Sequence, residues 1–196
     1  MSMRIRSARL AGAFAPISAT AAAIAAGIAL EGYSHRDYPL AYLGADGIPG
    51  ALAFNLFGFL LPGMLAFAVA WSLRSTLPAR GSWRPRIGAR LAMLSALGFA
   101  AQGLLPLQPD QVDAAVNGLH ASAWMLWLLA CASGAALLAS GVRGAMPASV
   151  AVAIGVPVLA LTPWTGAMVA IGPRLAFLVW LLWIAALPWI PPLRRG

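Results

Sequence analysis

The chain alternates between long apolar stretches and short polar gaps. A helix that crosses a membrane needs about 20 mostly apolar residues in succession. Six stretches approach that length, and they predict helices over residues 10–30, 51–73, 87–107, 119–140, 148–163 and 175–190. The pattern therefore predicts an all-α fold, a polytopic bundle of six transmembrane helices that forms a single domain over residues 1–196.

Composition supports the membrane class. Of the 196 residues, 61% are hydrophobic and only 9% are charged, whereas about a quarter of a soluble domain is charged. The first stretch follows three arginines, as a signal peptide would, but a signal core spans only about 7–15 residues. We therefore interpret residues 10–30 as a retained transmembrane helix.

The charged residues predict how the bundle is oriented. All but two of the 13 arginines fall at the two ends of the chain or in the second and fourth gaps. All five acids fall in the other gaps, as Glu31, Asp37, Asp46, Asp110 and Asp113. Because arginine-rich loops stay in the cytoplasm, both termini are predicted to be cytoplasmic. The arginine-rich, lysine-free composition favours a bacterial inner membrane. The net charge of +8 is interpreted as a topology signal and does not indicate nucleic-acid binding.

The gap between the first two helices combines a turn with a polar cluster. Its second half, GADGIPG, has the glycines, the Asp-Gly pair and the proline that favour a turn leading into the second helix. Its first half contains Tyr33, Tyr38 and Tyr42, which are all the tyrosines of the chain. Tyrosines commonly anchor a protein at the membrane surface, so most of this gap is expected to be architectural.

The two histidines are the candidates for catalytic chemistry. His35 lies two residues before Asp37, and a neighbouring carboxylate can orient an imidazole and raise its basicity. His120 begins the fourth predicted helix, where it could equally cap and solvate the helix end. If the chain is an enzyme, we expect a membrane hydrolase or transferase with His35, His120 and Asp37 as its catalytic residues.

Polar side chains recur at one predicted depth, about one turn inside the outer membrane surface. Polar residues at such a depth usually face the bundle interior or a cavity. Two tryptophans share a helical face with His120 and would form an apolar wall. The sequence therefore predicts an outer-leaflet pocket for a lipid or another amphipathic ligand, lined by Asn55, Gln102, Asn117, Trp124 and Trp127.

Metal chemistry is an alternative for the same residues. Two histidines and one acid can hold a zinc ion with an open position, and the acid could be Asp37, Glu31 or Asp113. The sequence has no HExxH motif, and Cys131 is its only cysteine. We therefore expect no cofactor, with zinc on His35, His120 and Asp37 as the alternative.

The stretch YPLAYLGADGIPGALAFNLFGFLLPGMLAF, residues 38–67, resembles the bacterial membrane family called domain of unknown function 998. Members of that family have a Leu-Gly pair, a turn rich in proline and glycine, and Phe-Asn entering the second helix. The matching positions are Leu43, Gly44, Gly47, Pro49, Gly50, Phe54 and Asn55. His120 fits a histidine near the start of the family's fourth helix, whereas Ala41 and Tyr42 stand where members often have Ser-Glu. The resemblance implies a six-helix fold and leaves the activity open.

Three functional hypotheses remain open from the sequence. The leading one is a protein that binds membrane lipids in the predicted pocket. The second is the membrane hydrolase or transferase described above. The third is a structural or assembly partner of another membrane protein, without a ligand of its own.

Overall fold

The computed structural model describes residues 3–78, 82–166 and 168–190 of the chain. Throughout these ranges the secondary structure is helical, with connecting loops and no strand. The long helices are α1 (Met3–Ala29), α2 (Ala51–Thr76), α3 (Trp83–Gln102), α4 (Ala115–Gly141), α5 (Met146–Leu161) and α6 (Met168–Ala186). The arginines at positions 80, 194 and 195, which the orientation prediction used, lie outside the described residues.

Most of these helices are suited to a membrane. Within the described residues, α1, α2 and α4 contain spans that are long and apolar enough to cross one, and α5 and α6 form most of two further spans, Arg143–Leu161 and Val169–Trp189. The exception is α3, which carries Arg84, Arg86 and Arg90 near its start. The predicted all-helical membrane class is therefore supported, and the chain is a multi-pass helical membrane protein.

Several helix ends differ from the sequence prediction. The third helix ends at Gln102 rather than at residue 107, and the fourth begins at Ala115 rather than at residue 119. The sixth begins at Met168 rather than at residue 175, so Arg174 lies inside a helix instead of in a loop. Pro173 is accommodated within the same helix, as transmembrane helices often allow.

Helix α2 contains a wider turn near its start. Residues Asn55–Leu60 form a π-helical segment between two α-helical parts. The Ser18 hydroxyl of α1 donates a hydrogen bond of 2.7 Å to the Phe57 carbonyl in this segment. A π segment places one extra residue in a helix and is common at functional sites, and here it adjusts the side of α2 that meets α1.

Helices α3 and α4 approach each other through glycines. A Cβ atom on Gly98 would lie 2.7 Å from the Trp127 nitrogen, and one on Gly88 would lie 2.9 Å from the Gly134 carbonyl oxygen. The Ser95 hydroxyl also donates to the Trp127 carbonyl at 3.1 Å. Small residues allow the close helix contact that stabilises membrane bundles, so α3 and α4 form a closely packed pair.

Aromatic side chains from several helices form the centre of the bundle. Trp127 of α4 is 0% exposed, and its ring centroid lies 4.5 Å from that of Phe177 and 6.0 Å from that of Trp180 on α6. Phe99 of α3 contacts the same two α6 rings at 5.1 and 4.9 Å. This aromatic core holds α6 against the α3–α4 pair.

One end of the bundle carries both ends of the described chain. The Arg9 guanidinium lies over the Trp189 ring, with 3.9 Å from Cζ to the ring centroid. Its Nε–H donates to the Pro188 carbonyl oxygen at 3.4 Å. This contact brings the start of α1 next to the residues that follow α6.

The other end, called the acidic end below, carries the loops of residues 30–50 and 103–114. The Asp46 N–H donates to the Leu107 carbonyl at 2.7 Å, which joins the two loops. Gly47 and Gly50 both have a φ of 78°, so the predicted turn is present, and α2 starts at Ala51, as predicted. All five acids lie in these loops, and all are exposed.

Candidate functional site

Asn55, the first predicted ligand-binding residue, holds the first loop in place. Its side chain is buried, and Nδ2 donates to the Gly44 carbonyl oxygen at 2.8 Å. The approach is so close that a Cβ atom on Gly44 would overlap the Asn55 amide. Two positions of the family resemblance, 11 residues apart, therefore meet in space, and the contact anchors the loop to α2.

Asn117 is also engaged by the chain itself. Its Oδ1 accepts a hydrogen bond of 2.8 Å from the Gln108 N–H. Its Nδ2 lies within 3.2 Å of three carbonyl oxygens, those of Gln108, Gln111 and Val112. Asn117 therefore fixes the loop of residues 103–114 to the start of α4.

His120 and Gln102 lie deeper on the same side. His120 is buried, and its Nδ1 lies 2.8 Å from the Leu105 carbonyl oxygen. Gln102 is 1% exposed, and its Nε2 has no hydrogen-bond partner in the described chain. We call Asn55, Gln102, Asn117 and His120 the amide cluster. Its members lie at the acidic end, as the sequence predicted, and three of them bond to loop backbone.

The two predicted pocket tryptophans differ in exposure. Trp127 belongs to the aromatic core described above and is completely buried. Trp124 is half-buried and packs 6.2 Å from it, centroid to centroid. Both lie on the α4 face of His120, as the spacing predicted, but Trp127 contacts other aromatic rings rather than lining an open cavity.

His35 and Asp37 point to different surroundings. The His35 ring lies against Gly27 of α1, where a Cβ atom would collide with it, and edge-on to Tyr33 at 5.0 Å between centroids. Asp37 is exposed, and its N–H donates to the Ser34 carbonyl. In the part of the chain that the structure describes, no three His, Cys, Asp or Glu residues are grouped to hold a metal ion. Within the described residues, His35, His120 and Asp37 are therefore not grouped as a metal site.

Arg174 of α6 is the residue that reaches His35 and its neighbours. One terminal nitrogen donates to the Tyr33 hydroxyl at 2.5 Å and to the Tyr38 carbonyl at 2.8 Å. The other donates to the Ala170 carbonyl at 2.7 Å, and Nε is buried without a partner. Arg174 was not among the site residues predicted from the sequence, although it is one of only two arginines that depart from the charge pattern.

A cavity of about 240 Å³ opens between α1 and α6 beside these residues. His35, Arg174 and Thr20 are its polar lining residues, and the remaining walls are apolar. Its apolar lining includes Ala19, Ala23, Ile24, Leu40, Gly58, Phe99, Leu175, Phe177, Leu178 and Leu181. We call this cavity the α1–α6 groove, and we call Tyr33, His35 and Arg174 the arginine cluster.

A second groove lies on the other side of α1. It has a volume of about 420 Å³ and separates α1 from the start of α2. Small residues such as Ala22 and Ala26 form its α1 wall, and Phe54 and Phe57 form part of the α2 wall. Helix α1 is thus loosely packed on two sides near the acidic end.

Burial and charge set the protonation of the arginine cluster. Burial lowers the pKa of His35 below its usual 6.5, and the positive charge of Arg174 lowers it further. Burial raises the pKa of Tyr33 above 10, against the opposing effect of Arg174. Near neutral pH, His35 and Tyr33 are therefore uncharged, and Arg174 carries the positive charge of the cluster.

Comparison of the chain with protein-family models, with curated proteins and with solved structures finds no match. The fold and the grooves define the class of this protein. It is a multi-pass helical membrane protein with an apolar groove that has polar side chains at one end. The resemblance to domain of unknown function 998 stays a prediction.

Proposed function

We propose that this protein binds a lipid or another amphipathic ligand in the α1–α6 groove. The observation that carries the proposal is the apolar groove with a guanidinium and an imidazole at one end. An amphipathic molecule has the complementary arrangement, with its chain along the apolar walls and its head group at His35 and Arg174. The proposal places binding at His35 and Arg174 rather than at the amide cluster.

The two parts of the groove contribute differently to binding. Inside a membrane an apolar chain gains little by moving from lipid to protein, because lipid tails are as apolar as leucine side chains. The wall of alanines and leucines therefore positions the ligand. Polar contacts at the membrane edge, made by His35 and Arg174, provide selection among ligands.

Orientation is part of the proposal. The arginine distribution favours a bacterial inner membrane with both termini in the cytoplasm, which puts the acidic end and the arginine cluster on the periplasmic side. Reporters that are active only outside the cytoplasm test this. A fusion at Asp110 should be active and a fusion at Ser82 inactive, and the opposite result would place the groove at the cytoplasmic surface.

Filling the groove tests the binding proposal. Ala23 lines the groove, whereas Ala13 is exposed on the same helix and is absent from both groove linings. We expect Ala23→Phe to lose most of the lipid that the wild type retains in native mass spectrometry after gentle detergent exchange. Ala13→Phe should retain it. Equal retention by the two variants, or no retained lipid in the wild type, would contradict the proposal.

A further inference from the structure

We infer that the α1–α6 groove selects amphiphiles with an anionic head group, a phosphate or a carboxylate, and that Arg174 binds that group. This inference rests on the proposed function and adds the charge class of its ligand. It is drawn from the surroundings of Arg174. Within the described residues, no carboxylate balances its positive charge and not every one of its N–H groups has an acceptor.

The hydrogen-bond partners of Arg174 within the described residues are all neutral. They are the Tyr33 hydroxyl and the backbone carbonyls of Tyr38 and Ala170. Within the described residues no carboxylate pairs with this guanidinium, and the acids of the adjoining loop, Glu31 and Asp37, are exposed. A charge taken partly out of water is stabilised by an opposite charge. The arginine cluster contains none, so an anion is the chemical group that it lacks.

The hydrogen bonds of Arg174 also leave a donor free. A guanidinium has five N–H groups in a planar fork that matches phosphate and carboxylate oxygens. The terminal nitrogens hold the loop and the helix, whereas Nε is buried and has no partner. Arg174 also lines the groove, and within the described residues its Nη1 makes only one of the two hydrogen bonds that it can donate. An anionic head group seated in the groove can accept the other.

His35 supplies a second polar contact in the same groove. Its ring is held between Gly27 and Tyr33 and lines the groove together with Arg174. A neutral imidazole can donate a hydrogen bond to an anion or accept one from a protonated phosphate. The apolar walls next to His35 and Arg174 favour the head group of an amphiphile over a free anion.

Head groups of equal chain length provide the first test. The purified full-length chain is exchanged into neutral detergent and titrated with phosphatidylglycerol, phosphatidylcholine and diacylglycerol of identical acyl chains, and with inorganic phosphate. We expect phosphatidylglycerol to bind at least about tenfold more tightly than the other lipids, and phosphate alone to bind weakly. Such a factor corresponds to about 1.4 kcal/mol.

The outcomes separate the two proposals. Equal affinity for all three lipids would overturn the inference and leave the proposed function standing. No binding of any lipid would overturn both. Phosphate alone binding as tightly as phosphatidylglycerol would overturn the assignment of the anion to an amphiphile.

Variants provide the second test. Arg174→Gln should lose the preference for the anionic lipid, whereas Arg36→Gln, a change of an exposed arginine in the first loop, should keep it. Because Arg174 also holds the first loop, Arg174→Gln changes the loop contacts as well as the charge. Tyr33→Phe is the control that separates these two effects. It removes one partner of Arg174 and retains the charge, so the preference should persist. An unchanged preference in Arg174→Gln, or its loss in Tyr33→Phe, would overturn the inference.

Discussion

Two polar clusters lie at the acidic end, and they use their polar groups differently. In the amide cluster, Asn55, Asn117 and His120 each bond to the backbone of a loop. In the arginine cluster, Arg174 also holds a loop, but it borders a cavity and keeps a donor without a partner. Both clusters thus lie near the membrane surface, but one is architectural and the other is a candidate binding site. Only their hydrogen-bond contacts distinguish them.

The difference follows from how each cluster meets α1. The amide cluster lies where α2, α3 and α4 and their loops join closely, so its polar atoms have backbone within reach. The arginine cluster lies beside α1, whose span is only 17% buried. A loosely packed helix leaves space for a ligand. It also leaves polar atoms that border this space without hydrogen-bond partners.

The largest expected effect is on the amide cluster, from Gly44→Ala. The added Cβ atom would displace the Asn55 amide from its bond to the Gly44 carbonyl. We expect the free energy of unfolding to fall by about 2–4 kcal/mol, from the lost buried hydrogen bond and the overlap. Unfolding in detergent with increasing dodecyl sulfate measures this loss.

Gly118→Ala is the matched control, because a Cβ atom on Gly118 meets no other atom within 4 Å. Its stability should be unchanged or slightly increased, since alanine favours a helix. If both variants lost the same stability, the Asn55–Gly44 contact would not be the reason.

A smaller effect is expected from Asn117→Ala. The variant frees the Gln108 N–H and three loop carbonyls, which water can partly satisfy. We expect a loss of about 1–2 kcal/mol and faster hydrogen exchange at Gln108, with lipid preference unchanged. Ser122→Ala, on an exposed turn of the same helix, should change neither quantity. A changed lipid preference in Asn117→Ala would make the amide cluster part of the binding site.

The smallest expected effect is a pH dependence at His35. The pKa of its imidazole is lower in the folded protein than the usual 6.5, so the unfolded chain binds the proton more readily. The contribution of His35 to stability is therefore constant above about pH 6.5 and falls as the pH is lowered below that value. Stability curves of the wild type and His35→Gln should converge or cross on acidification. Parallel curves from pH 7.5 to 5 would contradict the pKa shift.

Hydrophobic patterning predicted much of the fold. It identified the helical class and approximate positions of all six long helices, and the spacing of His120, Trp124 and Trp127 gave the inward face of α4. It did not give the helix ends. Pro173 and Arg174 resemble loop residues in a linear sequence, yet in α6 the arginine is stabilised by its contacts with the first loop.

The candidate site was predicted only in part. His35 was identified from its position beside Asp37. Asp37 is exposed, and the charged group that acts on His35 is the guanidinium of Arg174. Arg174 is 141 residues from Tyr33, with which it shares a hydrogen bond. A contact over such a separation depends on how α6 packs against α1, and no local pattern in the sequence encodes it.

The π segment Asn55–Leu60 makes α2 tolerant of one kind of deletion. An α-helix turns by about 100° per residue, and a π segment accommodates one extra residue without turning the parts on either side of it relative to each other. The Asn55–Gly44 contact lies at the start of the segment, and the Gly63–Ala100 contact lies beyond its end. Removing one residue from the segment would convert it to regular α-helix and leave both contacts able to form, whereas the same loss in a regular stretch would turn the flanking parts by about 100°. At the level of the gene, the segment is therefore the place where α2 can lose a codon and keep both contacts.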